Sequence, residues 1–240
     1  MKILYIEDNL ACFLCALYHA YHKEKADMIT TDSGSITLLD EVIEITVDLN
    51  ISRKVRKGII HKYGHIYEDI KDAFLSGDNT KSQKIYKYFD LLLKQGKKIL
   101  TMYNSPIVID FNDIIKKVRH EAHRLHGFLR FKEMDNGIFY SYFGSDNDVI
   151  ELVLPHFIAR YNSQQFVLHD IKRKKLAYFD GADIHFAVAD NVSITLSDNE
   201  VLFGKLWKEY FDSVTINERL NPKLQRQFLP KKYQFFMNEF

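Results

Sequence analysis

The sequence has no hydrophobic run long enough to span a membrane. Its longest uncharged apolar run, residues 10–18, is far shorter than the ~20 residues that a transmembrane helix needs. The start of the chain also differs from a secretory signal, because Glu7 and Asp8 immediately precede that run. We therefore expect a soluble, cytoplasmic protein without membrane association.

Cysteine is scarce, since the chain contains only Cys12 and Cys15. Two thiols do not complete a four-ligand zinc site, and they cannot supply the three thiolates that bind a radical-SAM iron–sulfur cluster. Their neighbours at positions 13, 14, 16 and 17 are apolar, and residues three apart share a helix face. We therefore expect both thiols in the core, and we predict no metal and no cofactor.

The chain has almost no net charge, because 33 Lys and Arg balance 32 Asp and Glu to give +1. No global field therefore attracts nucleic acid, and many DNA-binding domains are far more basic. Any anion-binding surface must arise from local segregation of charge. A standard catalytic motif is also lacking, so residue chemistry alone does not name a reaction.

Hydrophobic periodicity predicts an α+β protein. Residues 1–104 are predicted to form a mainly helical N-terminal subdomain with short strands, and the turn-rich stretch 101–106 marks its boundary. Residues 105–240 are predicted to form a second α+β domain that carries most of the motifs. From residue 128 the predicted order is strand, strand, helix, strand, strand, which indicates an antiparallel sheet flanked by helices. Gly127 is predicted to end the preceding helix, and Asn136-Gly137 to form a hairpin turn.

The most polar segment, residues 118–133, reads V-R-H-E-A-H-R-L-H-G-F-L-R-F-K-E. His120 and His123 around Glu121 suggest a metal site, but the zinc-protease pattern needs its second histidine where Arg124 stands. Solvated or hydrogen-bonded histidines are therefore expected.

Cations and aromatic rings in this segment, together with the basic turn at residues 172–175, could form a phosphate-binding surface. Arginine forks fit phosphate oxygens, and aromatic rings can stack nucleic-acid bases. The competing interpretation is that the rings form a core and that the cations pair with Glu121, Glu133 and Asp170. A buried ion-pair network of that kind would explain the same residues without catalysis. Glu121 and Asp170 could instead share acid–base chemistry if they lie close together.

Several gapped patterns follow one another along the chain. The first is V-R-x-E-x-H-R-x-x-G-F-x-R-F from Val118, and the second is H-F-x-x-R-Y-x-x-Q from His156, with a looser match from Leu152 and with H-D-x-K-R after it. Further patterns are L-W-K-x-Y-F from Leu206, I-x-E-R-x-N-P-x-L-Q-R-Q-F-x-P-x-x-Y from Ile216, and F-L-x-A-x-x-x-A-Y in the N-terminal half. Together they resemble the domain of unknown function 4130 family over essentially the whole chain.

The resemblance implies a role in DNA metabolism or DNA repair, with a radical-SAM protein as partner. In some members the same domain is joined to a uracil-DNA-glycosylase-like domain, but the family supplies no catalytic residue set. The positions that match the family patterns are Glu121, His123, Arg124, Arg130, His156, Arg160, Asp170, Arg173, Arg219, Asn221, Gln225 and Arg226. The D-G-x-F-x-G pattern that usually opens the first helix is replaced here by D-N-L-A-C at residues 8–12.

The leading expectation is an accessory protein of DNA repair or DNA metabolism that binds nucleic acid and works with a radical-SAM protein. Its phosphate contacts would come from Arg119, Arg124, Arg130, Arg160, Arg173, Arg219 and Arg226. The first alternative is a nucleotide or nucleic-acid hydrolase in which Glu121, His123 and Asp170 act as acid–base residues. The second is a protein-interaction scaffold whose polar motif is buried ion pairing. The sequence leaves open whether the chain is an enzyme.

Overall fold

A computed structural model describes residues 1–190 and 192–237 of the chain. The chain divides into two compact units, Met1–Arg119 and His120–Phe240, called unit 1 and unit 2 below. The division falls within a long helix, later in the chain than the predicted boundary at residues 104 and 105. Within the described ranges, no helix is long and apolar enough to cross a membrane.

Unit 1 combines a small sheet with a helical layer. Its strands are β1 (Lys2–Ile6), β2 (Met28–Thr30) and β3 (Glu41–Ile45), and its helices are α1 (Leu10–His22), α2 (Leu49–Tyr63), α3 (Ile66–Phe74) and α4 (Lys81–Gln95). Short 3-10 helices cover Ser33–Ser35 and Gly96–Thr101. The mainly helical composition agrees with the prediction for this half of the chain.

The sheet of unit 1 is parallel, with the strand order β2-β1-β3. Parallel neighbours need a crossover connection, and α1 supplies one between β1 and β2. Cys12 and Cys15 are buried on α1, as their apolar neighbours predict. The Cys12 thiol donates to the Ile45 carbonyl over 2.9 Å, so this helix is fixed against the end of β3.

Helix α5 (Pro106–Phe128) begins in unit 1 and continues into unit 2. Proline suits its first position, because the missing N–H has no helical partner there. The prediction that Gly127 ends this helix through a left-handed conformation is wrong. Gly127 lies inside α5, and the glycines with positive φ among the described residues are Gly64, Gly96, Gly137 and Gly181. The strand predicted to start directly after Gly127 accordingly begins later.

Unit 2 contains an α+β arrangement, as predicted. Its strands are β4 (Lys132–Glu133), β5 (Phe139–Phe143), β6 (Phe166–Asp170), β7 (Lys175–Phe179) and β8 (Ile184–Val188). Its helices are α6 (Ile150–Arg160), α7 (Asp198–Val214), α8 (Pro222–Phe228) and α9 (Lys231–Gln234), with a 3-10 turn at Asn217–Arg219. Helix α6 forms despite the internal Pro155.

The sheet of unit 2 has the order β4-β5-β6-β7-β8 and is mixed, which corrects the purely antiparallel prediction. β5 and β6 run parallel, with Phe139 opposite Phe166, whereas the other neighbouring pairs are antiparallel. The physical reason is that α6 connects β5 to β6 and carries the chain back to the end of the sheet at which β5 begins, so that β6 runs in the same direction as β5. The Asn136-Gly137 turn is confirmed, since Gly137 has a φ of 77° and its amide donates to the Met134 carbonyl.

Candidate functional site

Glu121 anchors a short loop between β5 and α6, which we call the 145–147 loop (Ser145, Asp146 and Asn147). Its carboxylate accepts the backbone N–H of Asp146 over 3.0 Å and that of Asn147 over 2.8 Å. The Asn147 side-chain amide donates to the same carboxylate over 2.6 Å. Glu121 is 5% exposed, so these donors satisfy a buried charge that would otherwise be costly.

The C-terminal helix α9 completes the surroundings of Glu121. Lys232 Nζ lies 2.9 Å from Glu121 Oε1 and 2.5 Å from Asp146 Oδ2, and the Tyr233 hydroxyl donates to Glu121 over 3.1 Å. Burial by itself raises the pKa of Glu121. The hydrogen bonds from Lys232 and the two backbone amides outweigh burial, so the net pKa of Glu121 lies below its ordinary value. Glu121 is therefore held as a carboxylate.

Asp170 and Arg173 bind the same loop through Ser145 and through backbone carbonyl groups. Ser145 Oγ donates to the fully buried Asp170 over 3.2 Å. Arg173 donates to that carboxylate over 3.1 Å, to the Ser145 carbonyl over 3.0 Å and to the Asp146 carbonyl over 2.6 Å. Glu121 thus binds the amides of Asp146 and Asn147, and Arg173 binds the carbonyls of Ser145 and Asp146.

The structure brings two of the three predicted acid–base residues to this loop and leaves the third elsewhere. Glu121 and Asp170 both bond to residues of the 145–147 loop, but both are buried and hydrogen-bonded. His123 is exposed, two residues from Glu121 on α5, where successive positions are rotated by about 100°. The arrangement resembles the buried ion-pair network that the sequence offered as an alternative.

The predicted phosphate-binding arginines fall into different surroundings. Arg119 belongs to unit 1, where it pairs with Asp69 and Asp72 over 2.7 Å, and Arg173 is engaged by Asp170. Within the described ranges, no carboxylate pairs with the exposed Arg124, Arg160 and Arg219. The side chain of Arg226 lies outside the described residues.

An open groove of about 800 Å³ lies in unit 2 beside the end of α5, α6 and α7. This volume falls within the range of small-ligand pockets. Three of the sequence patterns contribute to its walls, although they are far apart along the chain. The contributions are Arg130 and Phe131 from the first pattern, Arg160 and Tyr161 from the second, and Trp207 and Tyr210 from the third. We call this feature the aromatic groove.

The walls of the aromatic groove combine rings with cations. The Phe131 and Tyr161 rings lie 5.0 Å apart, and the Trp207 and Tyr210 rings lie 5.8 Å apart. The Arg160 guanidinium lies 5.6 Å from the Tyr161 ring centre, a distance that suits a cation–π contact. Trp207 is 45% exposed, so its ring remains available to a ligand.

Two charged residues of the groove, Arg130 and Glu200, have partners on the protein backbone. Arg130 Nη1 donates to the Gly127 carbonyl over 2.9 Å, which fixes the guanidinium beside the end of α5. Glu200 Oε2 accepts the Glu133 amide over 3.1 Å. The carboxylate of Glu200 is therefore oriented towards β4, and it partly offsets the positive charge of the groove.

His126 also lines the aromatic groove and stacks on His156. Their ring centres lie 4.3 Å apart with an interplanar angle of 16°, while His123 approaches His126 edge-on at 6.1 Å. Burial lowers the pKa of His126, and the neighbouring imidazoles lower it further. Among residues 1–190 and 192–237, no three His, Cys, Asp or Glu side chains are grouped to hold a metal ion.

Residue-by-residue reasoning missed the α7 wall of the groove. Residue type alone assigns no role to Phe203, Trp207 and Tyr210, although the last two belong to the L-W-K-x-Y-F pattern. The available signal was the spacing of Phe203, Trp207 and Tyr210, since positions three and four apart share one helix face. None of the described residues of α7 is buried. An aromatic stripe on such a helix indicates a surface that binds a ligand or another protein.

Comparison with known proteins gives one family match. No curated protein and no solved structure matches the chain. The model of the family described as domain of unknown function (DUF4130) matches residues 79–239, which is about two thirds of the chain and includes the whole aromatic groove. The chain therefore belongs to the DUF4130 family.

Proposed function

We propose that this protein binds single-stranded DNA in the aromatic groove and serves as an accessory protein of DNA repair or DNA metabolism. The observation that supports this most directly is that three separate sequence patterns supply rings and arginines to one groove. Single-stranded nucleic acid is bound by such a combination, because unpaired bases stack on rings while cations contact the backbone. The bases of a duplex are not free to stack in this way.

The chemistry of the groove favours an anionic, ring-containing ligand. Arg160 offers a guanidinium that no described carboxylate neutralises, and Trp207 and Tyr210 offer half-exposed rings. Glu200 opposes anion binding, but its carboxylate accepts the Glu133 amide. With a net charge of only +1, the chain has little long-range attraction for DNA, so affinity has to come from these local contacts.

The test is fluorescence anisotropy with labelled single- and double-stranded DNA over a salt series. We expect tighter binding of the single strand and a loss of affinity with salt. Trp207→Ala should weaken single-strand binding by about 1–3 kcal/mol, the usual contribution of one stacked base. Arg160→Ala should reduce the slope of log affinity against log salt by about 0.7, as expected for one lost phosphate contact on a single strand.

Lys97→Ala is the matched control, because it removes an exposed positive charge from unit 1. Its binding should equal that of the unmodified protein. Trp207 is the single tryptophan of the chain, so its fluorescence reports directly on this groove. Unchanged affinity in both groove variants, together with unchanged tryptophan emission on adding DNA, would remove the groove from the proposal.

We also propose, from the family resemblance, that a radical-SAM protein is the partner of this chain. The two thiols of this chain cannot form such a cluster site, so that chemistry would have to come from a second protein. Size-exclusion chromatography of the two purified proteins, with and without DNA, tests the pairing. Separate elution under both conditions would contradict it.

A further inference from the structure

Helix α2 of unit 1 carries positive charge without compensation. Its sequence contains no Asp or Glu, and among the described residues no carboxylate pairs with its basic side chains. These side chains are Arg53, Lys54, Arg56, Lys57 and Lys62. The first interpretation of such a face is plain solvation, so a second feature is needed before it indicates a ligand.

That second feature is a cavity of about 380 Å³ beneath the same helix, formed by α1, α2 and α4. Its walls are largely apolar and include the rings of Tyr18, Tyr21, Tyr63 and Phe89. The volume lies near the lower end of the range for small-ligand pockets. We call this feature the α2 cavity. All of its walls belong to unit 1, separate from the aromatic groove.

Gly58 forms an opening between two lysines on the rim of the α2 cavity. Lys54, Gly58 and Lys62 are spaced four residues apart and therefore lie along one stripe of the helix. A glycine inside a helix is less favourable than an alanine. Here a Cβ would meet no atom within 4 Å, so close packing does not require the glycine. Its effect is to leave access between two cations.

The two lysines are positioned over rings of the cavity wall. Lys54 Nζ lies 5.6 Å from the centre of the Tyr18 ring, and Lys62 Nζ lies 5.2 Å from the centre of the Tyr63 ring. His22 stacks on Tyr18 at 4.3 Å and lines the same cavity. An anionic group at the rim would thus meet two ammonium groups, while an attached ring would meet aromatic walls.

Tyr63 contributes an unused polar group. It is 4% exposed, and within the described part of the chain its buried hydroxyl has no hydrogen-bond partner. A buried hydroxyl without a partner destabilises the folded protein. A ligand with a ring nitrogen or a carbonyl group would satisfy it after the side chains that cover the hydroxyl move aside. A purely aliphatic ligand would not.

We propose that the α2 cavity binds a nucleoside phosphate, with the base among the tyrosine rings and the phosphate between Lys54 and Lys62. This ligand combines the three required properties, namely a flat ring, polar atoms on that ring and an anionic group. It can be a free nucleotide or one nucleotide of a single strand. The inference does not depend on the aromatic groove, because the two sites share no residue.

The test adds adenosine 5′-monophosphate to the full chain. Isothermal titration calorimetry measures its binding, and the NMR resonances of Gly58 and its neighbours report where it binds. We expect the nucleotide to bind and to shift these resonances. Adenosine and inorganic phosphate, added separately, should each bind at least about tenfold more weakly, because each provides only part of the contacts. A short single-stranded oligonucleotide distinguishes a free nucleotide from a strand as the source of the phosphate.

Two variants connect the binding to the cavity. Gly58→Leu places a side chain in the opening and favours the helix, and it should abolish binding. Ile60→Leu, at an exposed position of the same helix outside the cavity wall, should leave binding unchanged. Lys54→Gln combined with Lys62→Gln should weaken binding roughly tenfold without filling the cavity.

Binding that persists in Gly58→Leu would overturn the proposal, as would the absence of any shift at Gly58 with millimolar nucleotide. Binding that is lost in Trp207→Ala but retained in Gly58→Leu would assign the nucleotide to the aromatic groove and would likewise overturn it. The two sites can therefore fail separately.

Discussion

Glu121 shows how one residue of the polar segment acts. It stands near the end of α5, and its carboxylate receives hydrogen bonds from the 145–147 loop, from Lys232 and from Tyr233. These donors come from segments more than twenty residues away in the chain, so one buried charge joins three parts of unit 2. The side chain has the surroundings of a structural anchor.

Replacing Glu121 by Gln should lower the free energy of unfolding at pH 7 by about 1.5–3 kcal/mol, because hydrogen bonds to a charged group are lost. The folded pKa of Glu121 lies below its ordinary value of 4.5. Its stabilising effect is therefore present in full above about pH 4.5 and is lost as the pH falls through the folded pKa. Urea unfolding from pH 7 to pH 3 should show the two proteins converging in acid.

Glu209→Gln provides the control for this series, because Glu209 is exposed on α7 and has no ion pair among the described side chains. It should follow the unmodified protein at every pH. A Glu121→Gln difference that stays constant between pH 7 and pH 3 would contradict the assignment of Glu121 as a buried carboxylate.

At the scale of elements, α7 depends on its N-terminal contacts with β4. Ser197 caps the helix by accepting the Glu200 amide over 3.0 Å, and its hydroxyl donates to Glu133 over 2.9 Å. Glu200 in turn accepts the Glu133 amide. No residue of α7 is buried among those described, so these terminal bonds are a large part of what places the helix beside the groove.

Ser197→Ala should therefore loosen α7. Loss of an N-cap costs about 1 kcal/mol, and here the bond to Glu133 is lost as well. We expect faster amide hydrogen exchange along Asp198–Val214 and weaker single-strand binding, with little change in the exchange of the β6 and β7 amides. Ser213→Ala in the last turn of the same helix should leave both properties unchanged. Equal exchange rates in the two variants would show that the cap does not position α7.

Elements with a long periodic pattern were predictable, whereas short elements were not. The buried helix face that carries Cys12 and Cys15 and the Asn136-Gly137 turn are correctly predicted, because local physics decides them. The three-residue strand β2 was missed, since three residues carry no measurable alternation. The parallel pairing of β5 and β6 depends on the direction in which α6 carries the chain across the sheet. The order of the elements along the sequence does not specify that direction.

The candidate site was predictable only in part, for a related reason. Arg130 and Arg160 were identified from residue type and pattern, and both line the groove. The same reasoning does not reveal that Arg119 pairs with Asp69 and Asp72, because the positions of these carboxylates depend on the packing of α3 against α5 within unit 1. Whether a carboxylate neutralises an arginine depends on the tertiary structure, and a single sequence does not reveal it.

At the scale of the whole molecule, the near balance of charge is the dominant electrostatic property. With a net charge of +1 and an isoelectric point near 7.8, repulsion between copies is weak at neutral pH. Solubility should pass through a minimum close to pH 7.8 and rise on either side. Precipitation by polyethylene glycol from pH 6 to pH 9 measures this, and a steady trend without a minimum would contradict it.

The burial of Cys12 and Cys15 on α1 makes their reaction with a thiol reagent a measure of how often unit 1 opens. Burial raises the pKa of the Cys12 thiol, and both sulfur atoms are engaged by backbone groups of β3 and the segment after it. A thiol reagent can therefore reach them only when unit 1 opens, so the labelling rate depends on the frequency of opening. Because the chain has no other cysteine, the label records unit 1 alone, while the emission of Trp207 follows unit 2 in the same sample.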